Sequence, residues 1–311
     1  MCSVVDGYWL AVLARGADVP VDRPLDELTA ELVSMLGDPE PRRRDRIAYT
    51  VLSSWIRHGV YDDMLLGIGD GVLMGLGRGL GEDGTDSVLR RSFSARVLTQ
   101  VIARDNEVHL LTDDTVLRWG DRGSGWLLRE RDLRGYVHGR GWAYAVAHGA
   151  DLVGMLSRSR HFGAPELSVL LDVVADRLLS STHYVLCHDE DDRMAYAVMA
   201  LLHRNLVDEQ TLERWLVRLG DGIRRGREPD PDLTEWPTAA ACNTRAFLRA
   251  LHLQLAIGVR GRDDMVGDGA LFGEPPRDRA DLLLGLIDQQ RAASPRLFGT
   301  PGRRALAPLT S

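Results

Sequence analysis

Two groups in the run from Gly141 to Asp151, the His148 imidazole and the Asp151 carboxylate, have the types that proton transfer requires. They stand three residues apart, which on a helix puts them on one face. In that arrangement His148 works as acid or base while Asp151 orients it. On the same reckoning Arg140 and Tyr144 continue the face at four-residue steps, with Trp142 close by. A buried carboxylate without a partner costs several kcal/mol, so Asp151 needs one, or water. The same residues also suit a polar clasp that ties a neighbouring loop, such as 132–139, to its helix. No nucleophile or oxyanion hole accompanies them, so they are catalytic candidates only. As ligand-binding candidates Arg140, Trp142, Tyr144, His148 and Asp151 are joined by Tyr196 and His203.

Other chemistry is thinly represented. His183, Cys187, His188, Asp189 and Asp191 can each ligate a metal, but their spacing matches no standard zinc site, and no metal or cofactor is expected. The glycines from Gly67 to Gly81 do not form a dinucleotide fingerprint and follow no strand; they suit close helix approach or a weakened helix. The chain contains no lysine, so all 38 basic residues are arginine. Schiff-base chemistry and a phosphate-cradling P-loop lysine are thereby excluded. A net charge of −7 opposes binding to nucleic acid, where neutralised phosphates supply most of the affinity. The basic runs Arg42–Arg44, Arg90–Arg91 and Arg224–Arg225 read as solvated helix ends.

The elements that must carry these groups repeat. Asp45-Arg46-Ile47-Ala48-Tyr49 recurs as Asp192-Arg193-Met194-Ala195-Tyr196, with Gly141-Trp142-Ala143-Tyr144 between them on the same plan. Adding weaker copies at Phe93 and Phe247 gives anchors Ile47, Phe93, Trp142, Met194 and Phe247, spaced 46, 49, 52 and 53 residues apart. HEAT-type repeats run to about 40–47 residues, so these are slightly long units. Four residues after each anchor stand Val51, Val97, Val146, Val198 and Leu251; eight after, Trp55, Val101, Ala150, Leu202 and Leu255. That stripe is the buried face of a helix. Tyr49, Tyr144 and Tyr196 share one column and suit either a groove or a repeated packing contact.

A first helix precedes each copy: 25–36, 62–80, 112–129 (interrupted by Gly120, Gly123 and Gly125), 165–180 and 208–225, with 282–290 closing the series. Thr112 and Asp208 are suitable N-caps. No alternating run argues for a sheet. The expected fold is all-α, an α-solenoid (α-α superhelix) of about five HEAT-like helix pairs over residues 1–293, with a mobile tail at 294–311. A composition 44% hydrophobic supports a core of that size. No segment approaches the ~20 apolar residues of a membrane span. The N-terminus lacks a cationic leader, and three scattered cysteines suit a reducing compartment, so the expectation is a cytoplasmic protein.

Arg131-Asp132-Leu133-Arg134-Gly135-Tyr136, followed by Gly141-Trp142-Ala143-Tyr144-Ala145-Val146-Ala147-His148-Gly149-Ala150-Asp151, resembles the signature of the bacterial domain-of-unknown-function family 2785. The helices opening at Asp192-Arg193 and Asn243-Thr244-Arg245 are similar to that family's pattern, and the likeness extends from about residue 25 to 290. Tyr144 departs from it, since the family pattern leads us to expect histidine there. The resemblance implies a helical architecture and no assigned activity. Three readings follow: a binding or scaffold protein presenting a concave groove to a protein or peptide; a small-molecule-binding protein or enzyme centred on His148 and Asp151; and, least in keeping with the charge, a HEAT-like DNA-binding or glycosylase-type protein.

Overall fold

A computed structural model describes residues 4–227, 237–261 and 267–294. Among them the chain is almost wholly helical. Helix α1 spans Val4–Ala14 and α2 spans Leu25–Met35, opening after Pro24. A π-helical stretch, Arg42–Tyr49, runs straight into α3 (Thr50–Arg57). A short 3-10 turn leads into α4 (Leu65–Gly75), followed by α5 (Ser87–Val108) and α6 (Asp113–Arg129). Next come α7 (Ala145–Arg158), α8 (Ala164–Leu179), α9 (Glu190–Leu202), α10 (Glu209–Arg225) and α11 (Ala239–Ile257). A single turn, α12 (Asp268–Leu271), and α13 (Arg279–Ala293) complete the order.

The boundaries have local causes. Thr112, Asp208 and Thr238 each accept a hydrogen bond from the backbone N–H three residues on, which satisfies a donor left open by the first turn. At α8 the Glu166 carboxylate takes the Gly163 N–H at 3.0 Å, and Pro165 stands in the first turn, where its missing donor is harmless.

Two rows of helices pack in chain order. In one, α3 packs on α5, α5 on α7, α7 on α9 and α9 on α11; in the other, α4 packs on α6, α6 on α8, α8 on α10 and α10 on α13. The seam between them is the expected stripe. Ile47, Phe93, Met194 and Phe247 are buried, as are all five residues four positions on and all five eight positions on. No helix among the described residues is long and apolar enough to cross a membrane.

The structure corrects the sequence reading in five places, the first being that Arg44 and Arg91, read as part of solvated helix ends, are fully buried. Trp142 is not a core anchor on a helix. It lies in a two-stranded antiparallel hairpin, β1 (Tyr136–Val137) with β2 (Gly141–Trp142), and is 37% exposed. Arg140 and Tyr144 therefore precede α7 and do not share a helical face with His148. Helix α6 is unbroken through its glycines, because Gly120 and Gly123 make room for Phe162 and for Leu152 of α7. Helix α1 was not foreseen; it buries Trp9 and Val12 beneath the first pair, with the indole N–H of Trp9 donating to Glu31 at 2.8 Å. The tail expected from 294 onward lies outside the described residues, apart from Ser294 itself.

Candidate functional site: a hairpin held by three helix pairs

The family-like residues converge on the hairpin before α7. Tyr136 pairs across it with Trp142, and Val137 with Gly141. Gly139 and Gly141 have φ of +72° and +73°, the left-handed region that glycine enters without steric cost. Tyr144 also sits there, at φ +55°, which costs a side-chain-bearing residue on the order of 1 kcal/mol or more. Its ring stacks on Trp142 at 4.3 Å with planes only 6° apart, and the Arg193 guanidinium of α9 lies over it.

Each flanking helix pair fastens this hairpin. From the first, the buried Arg44 guanidinium donates to the Arg140 carbonyl at 2.7 Å and to the Asp38 carbonyl at 2.9 Å. From the second, Asp86 accepts from Arg140 at 3.0 Å, and the Ser92 hydroxyl donates to the Ala143 carbonyl. Asp132, fully buried, accepts from the Gly84 N–H at 3.0 Å and from the Arg134 Nε at 2.8 Å, while Arg134 also donates to the Thr85 carbonyl. From the fourth pair, the His188 ring packs where Gly135 has no side chain and meets Trp142 edge-on at 5.3 Å. The Arg-Asp-Leu-Arg-Gly-Tyr run is thus largely the anchorage of a loop that bridges non-adjacent pairs.

His148 and Asp151 have separate partners. His148 is 2% exposed; its Nδ1 lies 2.8 Å from the Ser92 hydroxyl, and Phe93 and Tyr144 meet the ring edge-on. Because that hydroxyl already donates to Ala143, the network assigns the proton to Nδ1. Asp151 turns to the next pair, where it takes a bidentate salt bridge from Arg193. The carboxylate that was expected to orient the imidazole is engaged elsewhere. Five of the cavities on the described surface, of about 190 to 1190 Å³, are lined by residues other than His148 and Asp151.

The tyrosine column has a common use. Arg96, paired with Asp45 at 2.6 Å, lies 3.6 Å from the Tyr49 ring centroid. Arg193, paired with Asp151, lies over Tyr144, and Arg158, paired with Asp268, lies over Tyr196. Each ring carries a guanidinium that an acid also holds, a cation–π contact repeated along the row. Arg158 and Asp268 were absent from the sequence-based candidates. Arg158 is the last residue of α7, and Asp268 lies 110 residues away. His203, on the same column as Asp151, packs against Phe272 at 4.8 Å. Among the described residues no group of three or more His, Cys, Asp or Glu side chains could hold a metal ion. His183 and His188 both stand on the 180–190 connection, where the exposed Cys187 thiol lies 3.6 Å from His188 Nδ1.

Burial, together with the nearby positive charges of Arg96 and Arg193, pushes His148 well below the usual imidazole range. Folding therefore holds His148 neutral while the unfolded chain protonates near pH 6.5. Stability from this group is complete above that pH and falls below it, by about 1 kcal/mol per pH unit. Urea denaturation between pH 7.5 and 5.5 is expected to show that slope, and His148→Asn to flatten it. An unchanged slope in the variant would mean that other groups carry the acid sensitivity.

No curated protein and no solved structure matches the chain. A family model does match, over residues 76–253, more than half of the sequence, taking in the hairpin and helices α5 to α10 though not Arg44 of the first pair. The chain therefore belongs to the family described as protein of unknown function DUF2785.

Proposed function

We propose that the chain is a non-catalytic binding protein, an α-solenoid of about five HEAT-like pairs whose α3–α5–α7–α9–α11 row offers a groove to a protein or peptide. The observation that supports this most is the mutual pairing of polar groups along that row. Asp45 with Arg96 and Asp151 with Arg193 leave a charged and aromatic surface rather than an enclosed pocket around a free acid or base. At its edge the hairpin presents Tyr136, 54% exposed, beside Trp142. Exposed aromatic rings backed by rigid anchorage suit an interface hot spot. Free thiols at Cys187 and Cys242 are in keeping with a reducing, cytoplasmic setting.

Affinity capture from host lysate tests the reading. The full chain should retain a partner that the double variant Tyr136→Ser, Trp142→Ser loses and that Val169→Ser, exposed on α8 in the other row, keeps. If both variants behave alike, the groove is not the binding face. If nothing is retained while a metabolite raises the melting temperature of wild type but not of His148→Ala, the small-molecule reading replaces this one.

A further inference from the structure

The turn α12 crosses the faces of α7 and α9, and what it inserts there has the form of a ligand. Asp268 receives the Arg158 Nε at 2.7 Å and the far guanidinium nitrogen at 3.4 Å; the two side chains are 2% and 9% exposed. Four residues on, the Phe272 ring lies nearly parallel to Tyr196, with centroids 5.5 Å apart and planes at 13°. The Arg158 guanidinium stands 5.3 Å from both rings. His203 closes the recess; it is 8% exposed and packs against the Phe272 ring at 4.8 Å. Beside Leu271 a cavity of about 190 Å³ continues between α5 and α7, lined by Gln100, Arg104, Asn106 and Met155.

Three features set this contact apart from ordinary packing between neighbours. The receiving groups, Arg158, Tyr196 and His203, all come from central helices, whereas the inserted groups come from one turn far along the chain. That turn is bracketed by two glycines, Gly267, at φ +85°, and Gly273. The chemistry is matched: a guanidinium that pairs with a carboxylate and also stacks on an aromatic face selects an acid and an aromatic one helical turn apart.

We propose that this recess is a recognition site for short acidic-aromatic peptide segments, and that Asp268–Phe272 is its occupant in cis. The inference rests on the binding reading above and names the ligand class. A partner segment with a carboxylate at one position and an aromatic four residues later competes with the resident turn, and the high local concentration of that turn sets the threshold.

The test uses the full chain and a fluorescein-labelled peptide, Gly-Asp-Gly-Ala-Leu-Phe-Gly, copied from 267–273. The double variant Asp268→Asn, Phe272→Ala empties the recess. By fluorescence anisotropy it should bind the peptide at least about tenfold more tightly than wild type, since the cis competitor is gone. Adding Arg158→Gln, or changing the peptide's Asp to Asn, should abolish that binding. A double variant that keeps its helical circular dichroism and binds no peptide overturns the proposal. Should the double variant unfold, hydrogen exchange on wild type decides: excess peptide should speed amide exchange across 267–273, and unchanged exchange overturns the proposal. If the peptide fails while the Tyr136/Trp142 variant still loses its partner, only the recess inference falls. If the peptide binds and capture shows no hairpin-dependent partner, the hairpin face is the part that fails.

Discussion

Replacing Arg91 with Met should destabilise the chain by about 3–5 kcal/mol, the cost of leaving a buried carboxylate without its cation. Arg91 on α5 and Glu130 at the end of α6 are both fully buried and meet in a two-pronged pair at 2.6 and 2.8 Å. The pair also serves the backbone. Arg91 donates to the carbonyls of Arg78 and Gly79, and Glu130 accepts from the N–H groups of Arg131 and Asp132 and from the indole of Trp126. Removing both charges would relieve the unpaired carboxylate, but losing the guanidinium orphans the Arg78 and Gly79 carbonyls, at about 1 kcal/mol or more each. Arg91→Met with Glu130→Gln is therefore expected to recover part of the loss and not all of it. Urea denaturation of the two variants reads this directly. A cost below about 1 kcal/mol for Arg91→Met would show that water reaches the site and relieves Glu130.

The second large effect comes from adding a single carbon. On helix propensity alone, Gly69→Ala should stabilise α4 by about 1 kcal/mol. A methyl group there would overlap the six-membered ring of Trp119, which is fully buried on α6 and tethered through its indole N–H to Asp70 at 2.8 Å. Overpacking of this kind costs about 1–3 kcal/mol, and a tethered ring has little freedom to retreat. The net expectation is a loss of about 2 kcal/mol. Combining it with Trp119→Phe, which vacates the contested space, should cost less than the two single changes added together. Strict additivity in that cycle would mean that α4 and α6 shift apart instead.

The two variants bracket what was legible in the sequence. The apolar stripe could be read because burial follows helical period, and its +4 and +8 columns are buried in all five copies. The close approach of α4 to α6 was hinted at by the glycine series, though not the ring that fills the gap. Trp142 was misplaced for a physical reason: an alanine-rich run resembles helix wherever it begins, and what starts α7 at Ala145 is the hairpin's anchorage by Arg44, Asp86 and Ser92. Those contacts join residues 51 to 96 positions apart, which no local pattern announces. For the same reason His148 was visible as a buried polar residue, but its partner Ser92 was not. One turn such as α12 carries no period at all, so the acid and the ring that fill the recess could not be recognised beforehand.

The Arg158–Asp268 bridge changes how such a chain should come apart. A row of helices that touch only in order can fray from its far end, one unit at a time, like a zip. Here the bridge ties the middle of the chain to a turn 110 residues later, and α11 lies inside the loop so closed. Helix α13 lies beyond the bridge and can loosen alone, but freeing α10 and α11 must break that knot first. With it intact α10 and α11 should melt together with the centre as one block; with it cut they are free to peel away early.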